Sequence, residues 1–198
     1  MPRFSVIMPA HNAANRIDKS LQSIRSQVFN DYELIVVCDA CDDDTEKIAR
    51  RYADSVTTIN ARSDGEARNK GLQMATGEWI LFIDDDDWFL HEYVFQQIDD
   101  KLKGLDIDVL CFSFVAKNWG YQKPRDNVNV DGADKHWTAV WTKAWRYDFV
   151  KDVRFPAIPR GSDVHFTFGV WQKKPRIYDW DMPIVYYNVY EKKEGVRR

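Results

Sequence analysis

Cysteine is scarce in this chain: three residues among 198. An odd, sparse set cannot build a disulfide framework, and it points to a reducing compartment. Cys38 and Cys41 form a C-x-x-C, but no second Cys or His pair stands at zinc-ligand spacing. Structural zinc closes on four ligands, so the two read as small buried or half-buried residues. Excess charge is missing as well. The formal net charge of −3 excludes the strongly basic face that non-specific nucleic-acid binding needs. No apolar run approaches the roughly 20 residues that cross a bilayer. Polar residues interrupt the N-terminus within its first dozen positions, which argues against a signal peptide. Internal repeats and low-complexity tracts are absent, and the chain as written reads as soluble.

What is present suits one domain of ordinary to large size, with 44% hydrophobic residues for a core and 30% charged residues for a surface. Aromatics are plentiful: 8 Trp, 9 Tyr and 11 Phe, with much of the excess after residue 110. Trp119, Trp137, Trp141, Trp145 and Trp171 could stack on sugar rings, or could be ordinary packing.

Strand and helix patterns alternate along the first half. Phe4–Met8 reads as a strand stopped by Pro9, and Tyr32–Val37 as a second that ends in Cys38-Asp39. Val56–Ile59 is a third, Trp79–Ile83 a fourth and Val109–Val115 a fifth. Between them Ile17, Leu21, Ile24 and Val28 make one helical stripe, with Asn15 and Asp18 as a capping arrangement. Asp42 to Thr45 starts a short helix through Tyr52. Gly65–Ala75 is a helix closed by Gly77, and residues 91–103 another with Val94, Ile98 and Leu102 inward. Such alternation implies βαβ units and an α/β fold with a mostly parallel sheet. Residues 117–135 read as a polar loop or lid, and Lys192–Arg198 as a mobile tail.

Trp79-Ile80-Leu81-Phe82-Ile83-Asp84-Asp85-Asp86-Asp87-Trp88 is the stretch with the most chemistry. Five apolar residues without alternation suit a strand covered on both faces. The four carboxylates then fall beyond its carboxyl end, where open α/β sheets bind ligands. Like charges at this density must be exposed, protonated or neutralised by a cation. Asp39, at the end of the second strand, would share that crevice. A divalent ion on two phosphates, beside a carboxylate for a base or ribose, is what a nucleoside diphosphate requires. The plain alternative for the acidic run is a solvated loop, and for Asp39 a turn or cap residue.

Four segments carry a family resemblance: Ser5–Asn12, Val36–Asp39, Ala67-Arg68-Asn69-Lys70-Gly71 and Phe82–Trp88. In order and spacing they resemble the family 2 glycosyltransferases of the GT-A fold, closely over residues 4 to about 90 and more loosely to about 190. The resemblance implies that Pro9, Ala10, His11, Asn12 and Asp39 line the nucleotide-base pocket and that Arg68 lies near the base or phosphates. It makes Asp84 and Asp86 the D-x-D pair. Asp84 would face the ribose and Asp86 would hold Mn²⁺ or Mg²⁺, while Asp85 and Asp87 would support them with donor contacts. Trp141–Trp145, Val153–Pro156 and Gly161–Phe166 resemble the later segment that ends in a Glu-Asp pair. There Asp163 inherits the role of general base, Ser162 replaces the Glu, and His165 is a weaker candidate for metal or acceptor. Cys38, where Asp is usual, and Ala40-Cys41, where Gly-Ser is common, are further departures.

The function so implied is an inverting, metal-dependent transfer from an NDP-sugar, UDP-sugar foremost, to a hydroxyl of a glycan, a lipid-linked glycan or another acceptor. Residues 1–115 would be the nucleotide-sugar-binding half and residues 116–198 the acceptor-binding half of one domain. The family setting is the cytoplasm or the cytoplasmic membrane face. A minimal enzyme, a truncated domain and a phage-type enzyme remain open. Two other readings stand beside it: a nucleotide-sugar-binding protein with a degenerate site, and a nucleotidyltransferase. The latter lacks its usual Gly-rich, Arg-containing loop after strand one, where Pro9-Ala10-His11-Asn12 stands.

Overall fold

The structure, a computed structural model, describes residues 1–124, 136–158 and 160–188. Most of residues 117–135 and all of the Lys192–Arg198 tail lie outside the described residues. The strands are β1 (Phe4–Ala10), β2 (Tyr32–Asp39), β3 (Ser55–Ile59), β4 (Trp79–Phe82), β5 (Trp88–Phe89), β6 (Val109–Ala116), β7 (Gly120–Gln122), β8 (Lys143–Arg146) and β9 (Ile177–Tyr187). The helices are α1 (Ile17–Arg25), α2 (Thr45–Ala49), α3 (Asp64–Met74), α4 (Val94–Leu102), α5 (Tyr147–Val150) and α6 (Ser162–Gln172).

Among the described residues the nine strands form one sheet in the order β3-β2-β1-β4-β8-β6-β9-β5, with β7 paired to β6. β1 to β4 pair in parallel, as the βαβ pattern requires. Beyond β4 the sheet turns antiparallel at β8, and parallel pairing returns between β6 and β9. Side chains alternate across the sheet, so each strand feeds two cores. Val6, Met8, Leu34 and Val36 face α1 and α4 on one side. Ile7, Ile35, Val37, Ile80 and Phe82 face α3 and α6 on the other. This double cover explains the unbroken apolar runs.

β1 continues through Pro9, which pairs in register with Val37. The Ile7 carbonyl accepts from the Ile83 amide on the β4 side. Pro9, two residues on, faces the same side, where β4 has ended at Phe82, so its missing N–H costs no ladder bond. α1 begins at Ile17 with no side-chain cap, and Val28 stays exposed beyond its end. α3 is capped by Ser63, whose hydroxyl accepts from the Glu66 amide at 3.3 Å. α3 stops at Met74, before Gly77, which lies against the β1 backbone. α4 starts at Val94 because Leu90 is tied to the Ile184 carbonyl. Within 117–135, Gly120–Gln122 forms a strand in place of the expected loop. No helix among the described residues is long and apolar enough to cross a membrane.

Candidate active site

The aspartate run leaves the end of β4, and the four carboxylates meet four different environments. Asp84 is part-exposed and accepts from Arg68 Nη2 at 2.7 Å. Asp85 is buried and gripped by Arg16, with Nε–Oδ1 at 2.8 Å and Nη2–Oδ2 at 3.0 Å. The His11 amide adds a third bond to Asp85, at 3.2 Å. Burial raises the Asp85 pKa, with the Arg16 charge working against it. Asp86 is half-buried beside them. Asp87 is fully buried and accepts from the Asn188 amide at 2.8 Å. Burial, then the charges of Asp84 and Asp86, push its pKa up to about 9. Among the described residues its Oδ2 has no hydrogen-bond partner.

Arg68, on α3, is the centre of the cluster at 4% side-chain exposure. Nη1 donates to Asp64 Oδ2 at 2.6 Å and lies 3.0 Å from Asp163 Oδ1, while Nη2 holds Asp84. Burial opposes its charge, yet Asp163, Asp84 and Asp64 together hold its pKa above the ordinary value. Asp163 stands in the first turn of α6, entered through Gly161 at φ 77°, where the helix favours negative charge. The Val140 amide donates to Asp163 Oδ2 at 3.2 Å. Burial raises the Asp163 pKa, Arg68 lowers it, and Asp84 raises it again, leaving it above the usual carboxylate range. Ser162 is buried and donates to Asp64 Oδ2 at 3.1 Å. His165 is exposed.

At the end of β1, Asn12 adopts a left-handed φ of 44° and its Oδ1 accepts from the Asp42 amide at 2.9 Å. His11 Nδ1 meets the Asp39 carbonyl oxygen at 2.6 Å. Pro9 and Ala10 are strand residues, and Ala10 is buried. The buried Asp39 carboxylate accepts from the amides of Ala61, Arg62 and Ser63 at 2.8, 2.9 and 2.6 Å. A carboxylate has about four acceptor positions, so one remains for a further donor. Cys38 is buried and Cys41 half-buried, both as free thiols, and burial pushes Cys38 up to about 12.

A cleft of about 360 Å³ runs between these groups and an aromatic wall. Asp64, Arg68, Asp84, Ser162 and Asp163 form one side, and Phe114, Trp119, Trp137, Trp141 and Tyr187 the other. Trp141 stacks on Tyr187 at 4.8 Å, and Trp119 is 53% exposed. Trp145 is wholly buried and Trp171 packs against it, so these two belong to the core. Pro9 to Asn12 and Asp39 are not among the residues lining this cleft. Sequence reasoning missed Arg16, Asp64 and Tyr187. Only the excess of carboxylates over nearby bases hinted that buried arginines must serve them.

The aspartate cluster fits a hard divalent ion. Arg68 offsets Asp84 and Arg16 offsets Asp85, while burial, with the charges of Asp84 and Asp86 added, raises the Asp87 pKa to about 9. An all-oxygen donor set with a buried, unpartnered Asp87 Oδ2 suits Mg²⁺ or Mn²⁺.

Comparison with known proteins agrees with this geometry. The model of glycosyl transferase family 2 matches residues 5–162. The poly(ribitol-phosphate) β-N-acetylglucosaminyltransferase TarS of Staphylococcus aureus Mu50 is 34% identical over 215 residues, covering 98% of this chain and 36% of TarS. The uncharacterized glycosyltransferase YibD of Escherichia coli K12 is 25% identical, covering 83% of this chain and 55% of that protein. The chain therefore spans about half, or less, of the length of these curated relatives. The crystal structure of S. aureus TarS 1–349 with UDP-GlcNAc superposes with a TM-score of 0.83 at 25% identity, over 96% of this chain and 60% of that one.

Proposed function

The chain belongs to glycosyl transferase family 2 and has its GT-A fold, and on that premise we propose that it transfers a sugar from a UDP-sugar to an acceptor hydroxyl with inversion. The observation that carries this reading is Arg68 holding Asp84 and Asp163 in one cleft. The strand end that meets the diphosphate and the carboxylate that meets the acceptor are thereby fixed to each other. UDP is favoured because TarS, a relative matched over 98% of this chain, was crystallised with UDP-GlcNAc.

Residues 1–115 hold the donor in this proposal. Pro9, Ala10, His11, Asn12 and Asp39 border the base, with the open acceptor position of Asp39 available to a base N–H. Asp84 faces the ribose. Asp85 serves through its grip on Arg16 and His11, fixing the loop after β1 to the acidic turn. Asp86 would hold the divalent ion, with Asp84 beside it. When bound, that ion supplies neutralisation of the negative charge developing on the departing diphosphate.

Residues 116–198 supply the acceptor side. Asp163 takes the proton from the attacking hydroxyl as the new oxygen–carbon bond forms and the carbon–phosphate oxygen bond breaks. One base opposite the leaving group gives one displacement and an inverted anomeric centre. A raised pKa suits this role, since general bases work best near the operating pH. Arg68 keeps the Asp163 carboxylate aimed and favours its ionised form.

The test uses UDP-GlcNAc with Mn²⁺, following UDP release and, separately, donor binding by calorimetry. Asp163→Asn is expected to lower turnover by about 10²- to 10⁴-fold with donor affinity nearly intact. Asp86→Ala is expected to weaken donor binding when Mn²⁺ is present. Normal turnover in both variants would overturn the assignment.

A further inference from the structure

A second set of metal-ligating side chains lies outside the cleft. Among the described residues, the ligand atoms of Cys111, His136 and Asp179 all lie within 4.8 Å of one another. Cys111 on β6 and Asp179 on β9 are register partners, and His136 arrives from the segment before the cleft wall. His136 Nε2 and Asp179 Oδ1 are 2.7 Å apart. We propose that these three residues bind a Zn²⁺-class transition metal, as a site separate from the one that handles the donor.

The donor set selects the ion. Thiolate, imidazole and carboxylate together suit Zn²⁺ or Co²⁺, whereas Mg²⁺ and Mn²⁺ prefer oxygen. Tetrahedral zinc, with bonds of about 2.0–2.3 Å, places its ligand atoms roughly 3.3–3.7 Å apart. His136 and Asp179, 2.7 Å apart, therefore move slightly apart, and no separation in the set, all within 4.8 Å, need close by more than about 1 Å. Binding removes the thiol proton of Cys111 and turns the His136 ring to its Nδ1–H tautomer. The resulting thiolate and the Asp179 carboxylate balance the two positive charges of the ion. The Asp179 side chain is 24% exposed, which gives an entry path and room for water as a fourth ligand. Lys143, the other register partner of Cys111, turns its ammonium onto the Ala139 carbonyl at 3.0 Å and the Thr142 hydroxyl at 2.9 Å.

A nucleophilic Cys-His-Asp triad is the rival use of these residue types. Cys111 is 2% exposed, so no substrate carbon reaches it. Position in the chain gives the metal a purpose. His136 is followed at once by Trp137, Thr138 and Ala139, which line the cleft. An ion here clamps that wall to β6 and β9. Sequence spacing hid the set, because its members sit far apart in the chain: the β6–β9 pairing joins Cys111 to Asp179, and His136 reaches Asp179 from outside both strands.

The experiment titrates the EDTA-stripped full chain with Co²⁺ in excess Mg²⁺, which occupies any all-oxygen site. One equivalent is expected to bind, with a thiolate-to-cobalt charge-transfer band in the near ultraviolet that Zn²⁺ bleaches. Cys111→Ser should abolish the band, Cys38→Ser and Cys41→Ser should retain it, and His136→Gln should weaken cobalt affinity at least tenfold. Zn²⁺ should raise the unfolding midpoint of the wild type by roughly 5 °C and leave that of His136→Gln unmoved. Should Cys111→Ser fail to fold, the His136→Gln pair of readouts decides. No band in the wild type, a band surviving Cys111→Ser, or equal affinity in His136→Gln each overturns the site.

Discussion

At the scale of single residues, the cleft is a problem of charge, and Arg68 is its solution. Replacing it by Gln leaves Asp64, Asp84 and Asp163 facing one another around a neutral group. Breaking a buried pair of this kind costs about 3–5 kcal/mol, to be read from urea unfolding. The Arg68 charge also lowers the Asp163 pKa, so its removal lets that pKa climb. The rising, low-pH limb of transfer activity should then move to higher pH, and an unmoved limb would show that Asp163 is not the titrating base. Asp87 gives a second pH test. Its folded pKa is about 9, against about 3.9 when unfolded, so the native state binds the extra proton. Stability from this group is present at pH 4 and is lost as pH rises towards 9. In EDTA, Asp87→Asn should therefore melt higher than the wild type at pH 8 and close to it at pH 4. Asp84, Asp86 and Asp163 were nameable from motif positions, because a family pattern records which side chains recur. Arg16 and Asp64 were not, since Arg16 meets Asp85 69 residues away and Asp64, beside Arg68 on its own helix, joins the site through Ser162, 98 residues away.

At the scale of elements, what counts is how α3 and α6 come together, for that approach lets Arg68 reach Asp163. Gly65 in the first turn of α3 makes it possible. A Cβ there would lie 2.6 Å from the Pro156 carbonyl oxygen, 3.1 Å from Phe155 Cβ and 3.2 Å from Ser162 Cβ. Gly65→Ala must push the start of α3 away from the Phe155-Pro156 stretch and from the first turn of α6, at a cost of about 1–3 kcal/mol. Because the shift falls between Arg68 and Asp163, turnover should drop more than donor affinity does. Equal losses in both would place the damage elsewhere. The elements of the first half were legible because buried parallel strands have long apolar runs and strong periodicity. β9 was not. Its aromatics alternate with charges, and Pro183 interrupts what would otherwise read as a strand. The ladder absorbs that proline at an irregularity, with register shifts on either side of Ser113, as bulges commonly do. Pro9 misled for a related reason: a proline's effect depends on which neighbour its missing N–H would have met.

At the scale of the whole molecule, the proposed donor and acceptor halves share one sheet rather than two. β4 pairs with β1 on one side and β8 on the other, so the strand that ends in the aspartate run is also the seam. Asp87 is tied to the Asn188 amide at 2.8 Å, and Trp88 stacks on Tyr186 at 4.4 Å. The end of the second half thus grips the acidic turn of the first. Two pieces joined through a common central strand cannot unfold independently without exposing the cores on both sheet faces. Thermal unfolding should accordingly be a single cooperative transition. Tryptophan fluorescence, weighted to the second half, and far-ultraviolet circular dichroism, which reads the whole backbone, should give one midpoint. UDP with Mn²⁺, at a hundredfold excess over the dissociation constant, adds about 2.7 kcal/mol to the native state. For a chain of this size that shifts the midpoint by about 5 to 10 °C, and it should move both probes together. A fluorescence midpoint left behind while the dichroism midpoint rises would show that donor binding stabilises the first half alone, and that the seam does not couple the two.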